Sequence, residues 1–193
     1  MSETGLRRTV AAVCLLNLAF FGVEFGAALS IGAASLFADS IDFLEDAAVN
    51  FLVFVALAWS AARRATVGRV LAALLLVPSL AVPWAVWRKF HEPVAPDPYA
   101  LGLVGLGALV VNGACALLLV RHRREAGGLA RAAFLSARND AIGNVAIIAA
   151  AATTLVWTSV WPDVVVALGL AAMNLDAARE VWEAAGREKP PVP

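Results

Sequence analysis

Residues 16–50 read LNLAFFGVEFGAALSIGAASLFADSIDFLEDAAVN, and this stretch decides the fold class. Its first half belongs to an apolar run that starts near residue 8, and its second half opens another that continues to about residue 61. Each run exceeds the ~20 mostly apolar residues that an α-helix needs to cross a bilayer. We therefore expect two consecutive transmembrane helices. The second carries four acidic residues, which are costly inside a membrane and indicate a functional site: Asp39, Asp42, Glu45 and Asp46.

The composition of the whole chain supports a membrane protein. Of its 193 residues, 61% are hydrophobic and 16% are charged, and the mean hydropathy is +0.79. Soluble domains are nearer ~45–50% apolar and ~25% charged. The net charge of zero favours no nucleic-acid partner. Cys14 and Cys115 both lie in apolar runs, so we expect buried thiols and no disulfide framework.

Six apolar runs predict an all-α integral membrane fold, a six-transmembrane-helix bundle over residues 8–184. Residues 1–7 would form a cytoplasmic N-terminal tail and residues 185–193 a disordered cytoplasmic tail. Small residues predict close helix packing, with Gly22 and Gly26 in the first helix and Gly102, Gly105 and Ala108 in the fourth. The expected helices cover residues 8–31, 35–61, 67–87, 100–120, 129–157 and 163–184.

The distribution of basic residues predicts the orientation of the bundle. Arginine and lysine concentrate in the tails and in the even-numbered connections, whereas the expected outer loops hold only Arg88 and Lys89. Because basic residues favour the cytoplasmic side, both termini should be cytoplasmic, which requires an even number of spans. The expected location is the plasma membrane, with multiple passes through the bilayer.

Acidic and polar residues on two helices predict a cation site. Asp42 and Asp46 are four residues apart, so they lie on one face of their helix. Ser136, Asp140 and Asn144 form a similar stripe on the fifth helix. Salt bridges and hydrogen bonds between helices are the alternative, but Arg138 alone cannot neutralise all the buried acids. The roles of four further residues stay open: Glu24, Asp39, Glu45 and Arg138.

Three segments together resemble the cation diffusion facilitator family. They are residues 16–50, residues 134–151 (FLSARNDAIGNVAIIAAA) and residues 161–182 (WPDVVVALGLAAMNLDAAREVW). The resemblance implies a six-helix transporter, usually a homodimer through its transmembrane helices, that exports zinc, cobalt, manganese or a similar divalent cation in exchange for protons. It implies no enzyme activity, and no cofactor besides the transported ion.

The same resemblance assigns the metal ligands. It places a helix 2 pair on Asp42 and Asp46 and a helix 5 ligand on Asp140. This sequence departs from the family at Ser136, where the fourth ligand is usually histidine or aspartate. Ser136 or Asn144 would then complete the site. The chain ends soon after the sixth helix, which resembles a short branch without the cytoplasmic C-terminal domain.

Other functions compete with the transporter hypothesis. A membrane scaffold or regulatory protein would keep the fold without transport. A drug–proton exchanger would use the same acids. An intramembrane hydrolase would need a nucleophile or metal-activated water, and the sequence contains neither HExxH nor GxSxG. The oxygen-only ligands favour a harder ion such as manganese, whereas the family favours zinc or cobalt.

Overall fold

The computed structural model describes residues 3–56, 82–120 and 127–173, with side chains described for 5–55, 82–120 and 137–173. These residues form helices, with no strand among them. The rest of the expected third helix, the end of the sixth and the tail 185–193 lie outside this part of the chain. The helices are α1 (Glu3–Ile31), α2 (Ala34–Ala56), α3 (82–91), α4 (Pro98–Val120), α5 (Gly127–Val156) and α6 (Trp161–Met173).

The described helices have the length and surface of membrane spans. Three are long and apolar enough to cross a bilayer: Gly5–Ile31, Pro98–Val120 and Ala137–Val156. Large apolar side chains point outward on them, such as Leu103 and Leu117, which are 72% and 71% exposed. Such a surface suits lipid, where helices satisfy their own backbone hydrogen bonds. The all-α membrane fold expected from the sequence is therefore confirmed.

The helix pairs set the layout of the bundle. α1 packs along α2 and α4 along α5, and the two pairs meet through contacts of α1 with α4 and of α2 with α5. The α1–α2 turn, the α3–α4 loop and the α5–α6 turn lie at the same end of the bundle, here named the turn end. Four exposed tryptophans also lie at the turn end, as an interfacial belt would: Trp84, Trp87, Trp157 and Trp161.

Local capping explains where the helices begin and end. Gly32 has a φ of 64°, and the Ala33 N–H donates to the Ala28 carbonyl at 3.0 Å, which closes the end of α1. Asp97 accepts a 2.7 Å hydrogen bond from the Ala100 N–H, and Pro98 occupies the first position of α4. α4 therefore begins two residues before the expected boundary at residue 100. α1 likewise begins at Glu3, so the helix extends into the expected tail 1–7.

Small residues hold α4 close to α5, as the sequence predicts. A Cβ added at Gly105 would lie 2.9 Å from the Ile147 Cγ2 atom, so no larger residue fits there without a shift. Ala108 on the same helix is fully buried. Among the described residues, Gly22 and Gly26 do not pack against a neighbouring helix, since a Cβ added at either meets nothing within 4 Å, so the prediction for them stays untested. The GxxxG face of α1 points away from the helices that pack on it.

Candidate cation site

One pair of carboxyl groups joins α2 to α5. Asp46 on α2 is 4% exposed, and its side chain is in hydrogen-bonding contact with Asp140, which is half-buried on α5. Asp42, one turn away on the same face of α2, is 7% exposed. Since carboxylates only accept hydrogen bonds, contact between two carboxyl groups is favourable only with a proton on one of them or a cation between them. The Asp46–Asp140 contact is thus a place where a proton and a metal ion would compete.

The full set of predicted ligands is not assembled in this structure. Among the described residues, no three His, Cys, Asp or Glu side chains gather closely enough to hold a metal ion. The side chain of Ser136 lies outside the described part, although its backbone belongs to α5. The structure therefore brings Asp46 and Asp140 together, while the role of Asp42 and Ser136 as ligands stays a prediction.

A second carboxyl pair lies nearer the turn end. Glu24 on α1 and Asp39 on α2 are both fully buried, and their side chains are in hydrogen-bonding contact. Apart from this contact, neither Glu24 oxygen receives a hydrogen bond from a described group, and nor does Oδ1 of Asp39. As with Asp46 and Asp140, the contact is favourable only with a proton on one carboxyl group or a cation between the two. The sequence placed both acids in the membrane but did not pair them.

A chain of amides ties the Glu24–Asp39 pair to α4 and α5. Asn144 donates from Nδ2 to Oδ2 of Asp39, and its Oδ1 accepts a 3.1 Å hydrogen bond from Asn112. All three side chains are buried. Because both ends of the Asn144 amide are engaged, it is a structural link between α2, α4 and α5 in this conformation. The prediction that Asn144 binds the metal directly stays untested.

The arginine of α5 does not enter the buried site. Arg138 is exposed and donates to the Asn139 side chain at 3.2 Å. In the part of the chain with described side chains, its guanidinium forms no ion pair with a carboxylate. Glu45 is half-buried and has interactions of its own. The buried acids are therefore not neutralised by Arg138.

Asp163 on α6 is a buried acid at the turn end to which sequence reasoning gave no role. It accepts the Ala34 N–H at 2.8 Å, the Ser35 N–H at 2.9 Å and the Ser35 hydroxyl at 2.6 Å. α2 has no polar side chain of its own at Ala33, so a distant residue caps its first N–H groups. The sequence did contain a signal for a capping role, since Asp163 directly follows Pro162 at the expected start of a helix.

Lys89 completes this turn-end contact. Its Nζ lies 3.6 Å from Oδ2 of Asp163 and donates to the Val94 carbonyl at 2.8 Å. Lys89 lies just after the expected span 67–87. Burial lowers the pKa of its ammonium group, and the nearby Asp163 carboxylate opposes that shift. The cap on α2 therefore owes more to the three hydrogen bonds of Asp163 than to the charge of Lys89.

Two comparisons with known proteins find similarity over most of this chain. The cation efflux transmembrane domain model matches residues 10–187. The zinc transporter ZitB of Pectobacterium atrosepticum is 27% identical over 175 residues, which cover 83% of this chain and 55% of that protein. The chain thus spans about half the length of the curated relative it matches.

Proposed function

Because this chain belongs to the cation efflux transmembrane domain family, we propose that it carries a divalent metal cation across the membrane in exchange for protons. The observation that carries the proposal is the contact between Asp46 and Asp140, which joins α2 to α5. Asp42 lies one turn away on the same face of α2 as Asp46. Three oxygen ligands from two helices suit a divalent cation, which enters as cargo.

The exchange follows from the chemistry of buried carboxyl groups. In the metal-free site, the Asp46–Asp140 pair holds a proton, since two ionised carboxylates in contact would repel each other in a medium of low dielectric. A metal ion binds only deprotonated carboxylates, so its arrival releases that proton. If the site opens to one side at a time, inward proton flow drives the cation outward. Ser136 would supply a further oxygen.

The identity of the ion and the orientation are part of the proposal. The name of the ZitB relative favours zinc, with cobalt and manganese as alternatives that the oxygen ligands also accept. The distribution of arginine and lysine favours a plasma-membrane protein with cytoplasmic termini, so that the turn end faces outward. A homodimer through the transmembrane helices stays a prediction. A carrier of this kind transforms no substrate and is not an enzyme.

The test is proton release from detergent-solubilised protein when zinc, cobalt or manganese is added. We expect saturable release with at least one ion, lost in Asp46→Asn and in Asp140→Asn. Glu92→Gln is the matched control, because Glu92 is an exposed acid at the turn end that pairs with Arg88. Folded protein that releases no proton with any of the ions would contradict the proposal and favour the scaffold hypothesis.

A further inference from the structure

Asp163 holds the start of the helix that carries the acids. Ala34 and Ser35 form the first turn of α2, and Asp39 lies four residues after Ser35 on the same face. Four residues of α-helix span about 6 Å, so the Asp163 cap lies about one turn from the first acid of α2. The cap joins α2 to α6, and Lys89 adds α3 to the same contact.

The polar residues nearest the turn end are completely buried, whereas two of the acids further along the helices are partly exposed. Ser35, Asp39 and Asp163 are fully buried, with 0% of each residue exposed. Asp140 and Glu45, further along the two helices towards the opposite end of the bundle, are half-buried. An apolar cluster around the cap, which includes Val86, Val164 and Ala167, excludes water from its hydrogen bonds.

A cavity of about 350 Å³ lies next to this cap at the turn end. Its walls come from the end of α1, the α1–α2 turn and α3, and they include Ala28, Ala33 and Lys89. Ala34 and Lys89 line the cavity and also contact Asp163. The cap therefore borders the cavity at the end of α2 from which Asp39, Asp42 and Asp46 follow.

We propose that Asp163 is a positioning residue that closes the cation path at the turn end. A cation then leaves through the cavity only when the Asp163 hydrogen bonds to Ala34 and Ser35 break. The Asp163 carboxylate suits this role because its hydrogen bonds hold the N-terminus of α2 from a different helix, 128 residues away. The two helices can therefore separate while each keeps its own backbone hydrogen bonds. The inference rests on the proposed transport function.

Thiol labelling tests whether the cap closes the path. The reporter is Ala38→Cys, because Ala38 is next to Asp39 on α2, is 1% exposed and does not line the cavity, in a background with Cys14→Ala and Cys115→Ala. Ser35→Ala removes only the 2.6 Å hydroxyl bond, and should speed maleimide labelling about tenfold, since a hydrogen bond to a charged acceptor is lost. Asp163→Asn should speed it further.

Thr153→Ala is the matched control, because it also removes one hydroxyl. It should leave the labelling rate unchanged, since Thr153 is exposed, its hydroxyl donates to the Ala149 carbonyl of its own helix, and it does not line the cavity. Equal rates in Ser35→Ala and Thr153→Ala would overturn the proposal. Ser35→Ala keeps both backbone bonds to Asp163, so the comparison stands even if Asp163→Asn fails to fold.

Zinc separates a closing device from a static cap. In the reporter background, zinc should speed labelling by about threefold or more, because a loaded site shifts the population towards the open form. Asp46→Asn should abolish that response. Zinc-dependent proton release without any change in labelling would overturn the role of Asp163 alone. Absence of proton release would overturn the proposed function and the closure together.

Discussion

Removal of the Asn144 amide should destabilise the bundle more than removal of its partner Asn112. Asn144 is fully buried and links α5 to Asp39 on α2 and to Asn112 on α4. Asn144→Ala breaks both hydrogen bonds and leaves Asp39 without the amide that donates to it. Asn112→Ala breaks only the 3.1 Å bond between the two amides.

The two hydrogen bonds set the expected magnitudes. An interhelical hydrogen bond in a membrane contributes about 0.6 kcal/mol on average and up to about 1.7 kcal/mol. A bond to a charged acceptor contributes about 1.5–3 kcal/mol. We therefore expect Asn112→Ala to lower the free energy of unfolding by about 1 kcal/mol. Asn144→Ala should lower it by about 2–4 kcal/mol, since it loses both bonds.

Unfolding by sodium dodecyl sulfate in mixed micelles, followed by circular dichroism, measures both variants and the double variant. The double-mutant cycle should return a coupling energy of about 0.6–1.7 kcal/mol between Asn112 and Asn144. Two results would refute the reasoning. One is a loss in Asn144→Ala no larger than that in Asn112→Ala, and the other is a coupling energy of zero.

Two further predictions concern packing and charge. Gly105→Ala should lower the free energy of unfolding by about 1–2 kcal/mol, because the new Cβ would lie 2.9 Å from the branched side chain of Ile147. Gly22→Ala should be neutral or stabilising by up to about 1 kcal/mol, because a Cβ there meets nothing within 4 Å. The same detergent titration checks both, and equal losses would contradict the packing geometry. For Lys89, the folded protein releases its proton at lower pH than the unfolded chain does, so stability relative to Lys89→Met should rise as the pH approaches 10.5. Unfolding titrations of the two proteins between neutral pH and pH 10.5 measure that difference, and a constant or falling difference would show that the pair with Asp163 outweighs the burial of Lys89.

The course of the membrane helices was predictable because apolar length is a local property. Runs of about 20 apolar residues define helices wherever they occur, and the interval between Asp42 and Asp46 puts them on one face without any knowledge of the neighbours. The ends were less predictable. α4 begins at Pro98 because Asp97 caps it, and a hydropathy pattern carries no information on caps.

The sequence predicts close packing of small residues in two helices, and the described structure shows that packing in α4 but not in α1. Gly22 and Gly26 form the same kind of pattern as the glycines of α4, but they point away from the packed helices. A GxxxG sequence places two glycines on one face, and only the rotation of the helix in the bundle decides whether that face meets a neighbour. Gly105 meets α5, and its fit against Ile147 shows the contact.

By itself, the sequence determined that the chain enters a membrane as helices and that acids lie within them, because both follow from the order and spacing of residues along one segment. Only the tertiary structure decided which acids meet: Glu24 with Asp39, and Asp46 with Asp140. It also assigned Asp163 to the start of α2 from 128 residues away. Such contacts depend on how helices distant in sequence rotate and pack, and no periodicity within one helix contains that information.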